Sequence, residues 1–562
     1  MPLVSVANVA IILLIQPNCN GFFNKRGKSV VGEGKLIIFA LLAGNRNKNC
    51  FQMKILLTTI KKFVSPLLFV TAITLFYALA FTLSEFVDSP FASFNDFLVL
   101  AFQWGAITVG TFALLYLLSI NRILFALTFP PLIVFSTVLA YFRYTVNAAF
   151  TPMTIELALI NDVRTNMQVV SWQLLLLMLL SLVLSVAVVL LRWKRIRFNK
   201  PFVHAIVASV MIFATNALIP QLARPLAQRM PYSIYYNFRL YFQNKSIAAE
   251  ERNTFMSPSV AGTDSLVVVF VLGESLRSDH LQINGYERET TPWLAKESNV
   301  VSLTDIYTAP CFTHTSVPHI MTRADSITPH VAGTEQSFVS IFNSAGFRTS
   351  WIANQEPVAT YAYFMNECDT LIYVNGDKSL YTFDKWVDGD ILPHLENELR
   401  NGNPLQLHIL HSIGSHWWYN SHYTSDFERY TPVIGSRVIS SNTKEEMINS
   451  YDNTVLYTDY FLKQTMDLIR DKKAIMFYLS DHGECLGEDG YFTHGTDRPQ
   501  LHYPAAFVWY SNLYAQEYPH KVEELKNNGN RRYNTDYLFH SIIDAAGIST
   551  EYMIPQLSVF RR

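Results

Sequence analysis

The densest group of chemically active side chains lies in Leu479–Gly495, reading LSDHGECLGEDGYFTHG. Asp481, His482, Glu484, Glu488, Asp489 and His494 fall there within fourteen residues. Carboxylate oxygens and imidazole nitrogens gathered in one loop suit a divalent metal such as zinc. The loop follows an apolar run, Ala474–Leu479 (AIMFYL), that reads as a buried strand, and ligands of α/β sheets collect at the carboxyl ends of strands. Gly483 and Gly487 let the backbone turn sharply enough for the side chains to converge. A single Asp–His pair also describes an acidic surface loop, and Glu488 and Asp489 read as turn and surface residues, so the weight rests on what other segments add.

Two of them add ligands of the same kind. The apolar stretch in SLVVVFVLGES ends in Gly273-Glu274-Ser275, and the run Leu405–Leu410 passes into HSIGSH, with His411 and His416. Glu274 alone would serve as a helix cap. Three apolar segments that each end in a carboxylate or an imidazole point instead to one metal site at one sheet edge. A nucleophile is on offer in Pro310–Arg323 (PCFTHTSVPHIMTR), where Thr313, Thr315 and Ser316 precede Val317-Pro318. A hydroxyl at a helix N-terminus meets the positive end of the dipole, which favours an oxyanion and attracts phosphate. A metal beside that oxygen lowers its pKa. Alone, the string is a Ser/Thr helix cap.

The elements that must position these residues follow from the pattern beyond Ser265. Short apolar strands are predicted at Leu266–Leu272, Val300–Leu303, Thr349–Ile352, Leu405–Leu410, Ala474–Leu479 and Ala505–Trp509. Between them lie helical stretches, including Phe338–Ala345, Asp390–Asn401, Lys444–Leu468 and Thr535–Ala546. Strands alternating with helices predict an α/β fold with a largely parallel sheet.

The first part of the chain is of another kind. Half of the 562 residues are hydrophobic, and the apolar runs concentrate before about residue 220. Five of them, Val64–Leu83, Phe97–Ile120, Ile123–Phe142, Val169–Leu191 and Val203–Ile219, read as transmembrane helices. Lys54, Lys61, Lys62, Arg122 and the group Arg192, Lys194, Arg195, Arg197 and Lys200 fall on one side, and Glu85, Asp88 and Asp96 on the other. The positive-inside rule then puts the residues after about 220 outside, in the periplasm of a bacterium with two membranes. The outer loop Arg143–Gln168, holding Thr151, Met153, Glu156, Asn161, Asp162, Thr165 and Asn166, reads as a helix at the membrane surface. The expected organisation is an atypical extension over 1–52, five transmembrane helices over 53–220, a membrane-proximal linker over 221–263 that includes PYSIYY, and a catalytic domain over 264–562. Met53 opens a stretch that reads as a natural cytoplasmic start. A formal charge of −1 gives no case for a nucleic-acid partner. Five cysteines, Cys19, Cys50, Cys311, Cys368 and Cys485, make no disulfide framework and no CxxC pair.

These motifs carry a family resemblance. VLGESLRSDHLQINGYERETTPWL, THTSVPHIMTR, LHSIGSHWWY, YDNTVLYTDY and SDHGECLGEDGYFTHG resemble the phosphoethanolamine transferases of Gram-negative inner membranes. These include lipid A modifying and mobile colistin-resistance enzymes, within the alkaline phosphatase/sulfatase superfamily. The resemblance implies a multi-pass inner-membrane protein with a periplasmic sulfatase-like domain. It implies a zinc ion held by Glu274, Asp481 and His482 together with the oxygen of the nucleophile. It implies Thr313 as that nucleophile, three residues before the serine of Ser-Val-Pro; counting from the preceding cysteine would give Thr315 instead. His416, His494 and Glu484 would bind the phosphoryl group or a second metal, and Asn354 and Gln355, in WIANQ, would lie near the substrate. The lysine that often follows is missing. His319 stands where relatives have a cysteine, and Cys485 sits inside the metal motif. A Cys311–Cys368 pair is left open.

The implied reaction takes phosphoethanolamine from phosphatidylethanolamine through a phospho-threonine intermediate to lipid A or another lipopolysaccharide acceptor. The alternatives are a phosphoglycerol transferase acting on a periplasmic glycan, a membrane-bound sulfatase, and an inactive membrane sensor. Cys311 is followed by Phe312 and Thr313, which is not the Cys/Ser-x-Pro-x-Arg context a formylglycine sulfatase needs. Intact Glu274, Thr313, Asp481 and His482 speak against the sensor.

Overall fold

The computed structural model describes residues 65–160, 170–199, 201–217, 226–248, 251–379 and 383–561. The extension over 1–52, the lysines before the first span, and Asn161, Asp162, Thr165 and Asn166 lie outside them.

Beyond residue 264 the chain forms a seven-stranded sheet. In chain order its strands are β1 (Leu266–Gly273), β2 (Val300–Ser302), β3 (Arg348–Ala353), β4 (Thr370–Tyr373), β5 (Leu405–His411), β6 (Ala474–Ser480) and β7 (Ala506–Tyr510). Their order across the sheet is β2-β7-β6-β1-β5-β3-β4. β1 pairs in parallel with both β5 and β6, and β5 with β3 and β3 with β4 do likewise. β7 runs antiparallel to both of its neighbours. The six expected strands are all present within two residues at each end. β4, at an edge and only half-buried, is the one that apolar patterning passes over.

β1 is buried along its whole length because both faces of the sheet are covered. Leu266, Val268, Phe270 and Leu272 point to one face, where they pack with Val317, Ile320, Phe338, Phe342, Phe539 and Ile542. Val267, Val269 and Val271 point to the other, against Tyr451, Val455, Phe461 and Leu462 of helix Lys444–Ile469. The period-2 alternation therefore fills two cores at once, in an α/β/α sandwich. All the parallel strands end at one edge, which brings together the segments after β1, β3, β5 and β6.

Among the described residues, four helices are long and apolar enough to cross a membrane: Ser65–Phe86, Phe94–Ile120, Arg122–Val146 and Trp172–Arg195. Pro201–Ala217, at the place of the fifth expected span, is an apolar helix of 17 residues. Large side chains such as Leu179, Val183 and Leu190 stand exposed on Trp172–Arg195, as a lipid-facing surface requires. The loop after the third span forms helix Pro152–Ile160 as expected, and the linker contains helix Tyr232–Ala248.

The apolar helices are tied to the sandwich by polar contacts. The Asp96 carboxylate completes a capping box with Ser93 and also accepts from Ser436 Oγ (2.8 Å) and Arg437 N (3.0 Å). Asp88 pairs with buried Arg143 and accepts from Phe383 N at 2.8 Å. Thr151 Oγ1 donates to Gly376 O (2.8 Å), and Ala149 N to Asp377 O (2.7 Å).

Candidate active site

Glu274 leaves the carboxyl end of β1, and the next residue, Ser275, has φ +57°. A left-handed conformation is costly for a serine and persists only when its surroundings fix it. Here they do. Ser275 N donates to Asp481 Oδ1 (3.1 Å), Ser275 Oγ to Glu274 Oε1 (2.7 Å), and the Tyr451 hydroxyl donates to Ser275 O (2.7 Å). The Glu274 carboxylate is thereby turned back over the sheet edge instead of capping a helix.

Asp481 and His482 come off β6 beside it. Asp481 Oδ1 accepts from Ser275 N and from His482 N, whereas its Oδ2 is buried without a partner. His482 Nδ1 lies 2.7 Å from Gly483 O. A carbonyl only accepts, so Nδ1 carries the proton and Nε2 turns a lone pair inward. That nitrogen lies 3.4 Å from both Glu274 Oε1 and Asp481 Oδ2. Three acceptors thus face one another, all three residues are buried, and one ligand atom from each lies within 4.8 Å of the others. Burial works to raise the Glu274 carboxyl, but His482, His416 and His494 hold it at about 2. Burial, and then the charge of Glu274, drive Asp481 well above the carboxylate range. Two buried carboxylates and an imidazole lone pair turned towards one another are the ligand set of a divalent metal such as zinc.

Thr313 is the first residue of helix Thr313–Met321. Its Oγ1 donates to Glu274 Oε2 (3.1 Å) and lies 3.3 Å from His482 Nε2. The other two hydroxyls of the string are committed elsewhere. Thr315 is exposed and bonds to Phe312 O (2.9 Å), and buried Ser316 donates to Asp481 O (2.5 Å). Ser316 thereby fastens the helix start to the Asp481 strand end and holds Thr313 over the three acceptors.

The remaining expected residues take distinct places. His494 Nδ1 pairs with Glu484 Oε2 at 3.1 Å, and Glu484 is buried. Burial works against charge on His494, but Glu484 overrides it and raises the pKa to about 9. The His494 ring lies 4.7 Å from that of His482 and 5.7 Å from that of His416. Gln355 Nε2 donates to Glu274 Oε2 (3.0 Å) and Ser412 O (2.7 Å), so it holds the Glu274 carboxylate and also reaches the open side. Asn354 sits behind the site, fully buried, with its amide engaged by Asp388, Asn375 and Trp386. Glu488, assigned to the surface on sequence alone, is half-buried and pairs with Arg277 at 2.5 Å. Arg277 also donates to Glu484 O (3.1 Å) and grips Asp279, and so braces the Asp481–Glu488 loop. Asp489, with φ +51°, is a turn residue as expected. Cys311, Cys368 and Cys485 are free thiols; Cys485 packs with Cys311 and Leu501 next to the site.

Thr313, Glu274, His416 and His494 line a cavity of about 800 Å³. Glu85, Arg143, Phe150, Arg229 and Tyr236, from the apolar helices and the segments beside them, line the same cavity.

The family model described as Sulfatase matches residues 267–548. Kdo(2)-lipid A phosphoethanolamine 7''-transferase of Escherichia coli (strain K12) is 34% identical over 283 residues, covering 49% of this chain and 49% of that protein. Phosphoethanolamine transferase EptA of the same strain is 30% identical over 306 residues, covering 51% of this chain and 54% of that protein. The chain spans about half the length of these curated relatives. The C-terminal periplasmic domain of EcEptC from Escherichia coli, solved in complex with Zn, superposes with a TM-score of 0.50 at 22% identity, over 55% of this chain and 90% of that one. That likeness shows the fold. The relatives bear the names that the motifs had led to.

Proposed function

The chain belongs to the sulfatase family, and from that premise we propose that it transfers phosphoethanolamine from phosphatidylethanolamine to a lipopolysaccharide acceptor, lipid A or core. One observation carries the reading. Thr313 Oγ1 rests on Glu274 and His482 in a cavity that Glu85 and Arg143, at the ends of apolar helices, also line. A nucleophile so placed meets the headgroup of a lipid that stays in the bilayer. In this reading residues 53–220 form five membrane spans, 221–263 lie along the membrane, and 264–562 form the catalytic domain in the periplasm.

Glu274, Asp481, His482 and Thr313 would hold a zinc ion. The orphaned Asp481 Oδ2 and the inward lone pair of His482 fit one, and the similar EcEptC domain was solved with Zn. Bound there, zinc supplies positive charge that lowers the threonine pKa and offsets charge on the phosphoryl oxygens. The protein's own groups account for the rest. Thr313 Oγ attacks phosphorus, the bond from phosphorus to the diacylglycerol oxygen breaks, and phosphoethanolamine remains on Thr313 while diacylglycerol leaves with a proton. An acceptor hydroxyl or phosphate oxygen then displaces Thr313 and restores its hydroxyl. The amides that open helix Thr313–Met321 offer donors to the phosphoryl oxygens, and His494, kept cationic by Glu484, adds an N–H donor on the open side with His416 beside it. Mass spectrometry of lipid A and core from cells with and without the protein tests the proposal. It predicts a phosphoethanolamine increment that depends on Thr313.

A further inference from the structure

The loop that follows β5 carries His416 and wraps the backbone of Glu274. Ser412 N donates to Leu272 O (3.0 Å) and Ser415 N to Glu274 O (3.0 Å). Between them Gly414 has φ +53°, and a Cβ there would lie 2.7 Å from Glu274 O and 3.0 Å from Glu274 N. Such close approach leaves the loop one path. The turn is closed from outside by a carboxylate that motif reading passed over. Asp388 is buried (2% exposed). Its Oδ1 accepts from Ile413 N (2.8 Å) and Asn354 Nδ2 (2.9 Å), and its Oδ2 accepts from Gly414 N (2.9 Å). Two consecutive amides converging on one carboxylate form a small anion nest. The same carboxylate anchors Asn354, the residue after β3.

We infer that Asp388 is a positioning residue for the transfer: by gripping Ile413 N and Gly414 N it fixes the turn that sets His416 against the phosphoryl-binding side of Thr313. Asp388 does not line the cavity, whereas Ile413 and His416 do. It therefore acts through the loop. An asparagine at 388 keeps one acceptor oxygen and turns an N–H₂ donor towards a backbone N–H, which opens the nest on one side. His416 is then released while Glu274, Asp481 and His482 keep their own contacts.

The inference rests on the transferase reading for its activity arm only. The full chain in detergent is compared as wild type, Asp388→Asn, His416→Ala and the double variant. Asp388→Asn is expected to keep the wild-type metal content and unfolding temperature. Its kcat should fall about 10- to 100-fold with KM within about twofold, and the double variant should be no slower than His416→Ala. Losses that multiply, or an effect carried by KM, overturn the inference. The second arm needs no turnover. Diethylpyrocarbonate labelling read by mass spectrometry should modify His416 several-fold faster in Asp388→Asn, about threefold or more, with His494 unchanged; equal His416 rates overturn the inference. Asp388→Glu, which displaces both oxygens by a methylene, should repeat the pattern. If neither variant keeps metal content and unfolding temperature, Asp388 is a determinant of the fold and the inference is overturned. A wild-type protein without transferase activity sinks the proposed function and leaves the labelling arm to decide on Asp388.

Discussion

Replacing Asp481 with asparagine should leave the metal-free protein at least as stable as the wild type while abolishing its response to zinc. The sign follows from the geometry. The facing oxygens of Glu274 and Asp481 lie within 4.8 Å. At an effective dielectric near 20, two charges at that separation repel by about 3.5 kcal/mol. Part of this is relieved in the metal-free wild type by protonation of Asp481, which is why its carboxyl stands well above the usual range. In Asp481→Asn the Oδ1 contacts to Ser275 N and His482 N survive, and the amide N–H₂ replaces the orphaned Oδ2. It then faces His482 Nε2 and Glu274 as a donor to two acceptors. A saturating metal, at about a hundred times its dissociation constant, adds about 2.7 kcal/mol to the wild type and nothing to a variant that has lost the site. The assay is thermal unfolding of the full chain in detergent, after chelation and after zinc is restored. The wild type should lose stability on chelation and regain it with zinc, and Asp481→Asn should do neither. A wild type indifferent to chelation refutes the metal site. A chelated Asp481→Asn well below the chelated wild type refutes the repulsion argument.

Other outcomes follow from single contacts. Thr313→Ala should lower transfer by at least about three orders of magnitude while Glu274, Asp481 and His482 still hold zinc, less tightly than with the threonine oxygen, whereas Thr315→Ala, whose hydroxyl bonds to Phe312 O, should stay near wild type in the same lipid assay. Gly414→Ala places a Cβ against the Glu274 backbone at positive φ; the strain, about 1–3 kcal/mol, should appear as lowered zinc occupancy by elemental analysis. Asp459 lies buried against Trp293 N and Leu294 N. Burial raises its carboxyl to about 7 although both amides pull it down. A folded pKa above the unfolded value means that stability is fully present near pH 4 and is lost as the pH rises through 7. The loss is at most about 4 kcal/mol. The wild-type unfolding temperature should therefore fall between pH 5 and pH 8 more steeply than that of Asp459→Asn.

What could be read from sequence divides along physical lines. β1, β5 and β6 are buried on both faces and therefore appear as unbroken apolar runs, and the residues that follow them, Glu274, the His411–His416 turn and Asp481-His482, are legible as a site. β4 is short and half-buried at the sheet edge and leaves no such trace. The choice of Thr313 over Thr315 rests on resemblance to a family; in the structure one hydroxyl faces Glu274 and the other turns back on its own helix start. Asp388, Ser275 and Arg277 were illegible because each works through backbone groups brought in from distant segments. Nothing in the local pattern of Asp388 announces that Ile413 N and Gly414 N will converge on it. Glu488 failed in the opposite direction, since in a glycine-rich acidic string a carboxylate that is to be drawn under an arginine looks like one left in water.

The central claim is that Thr313 carries the phosphoethanolamine group between two lipids. Its most direct test is mass spectrometry of the purified full chain after incubation with phosphatidylethanolamine labelled in the headgroup and no acceptor. The account predicts a labelled phosphoethanolamine adduct on the peptide containing Thr313, localised to that residue and discharged when lipid A or core acceptor is added. Release of the headgroup with no adduct on Thr313, or an adduct that survives in Thr313→Ala, would contradict it.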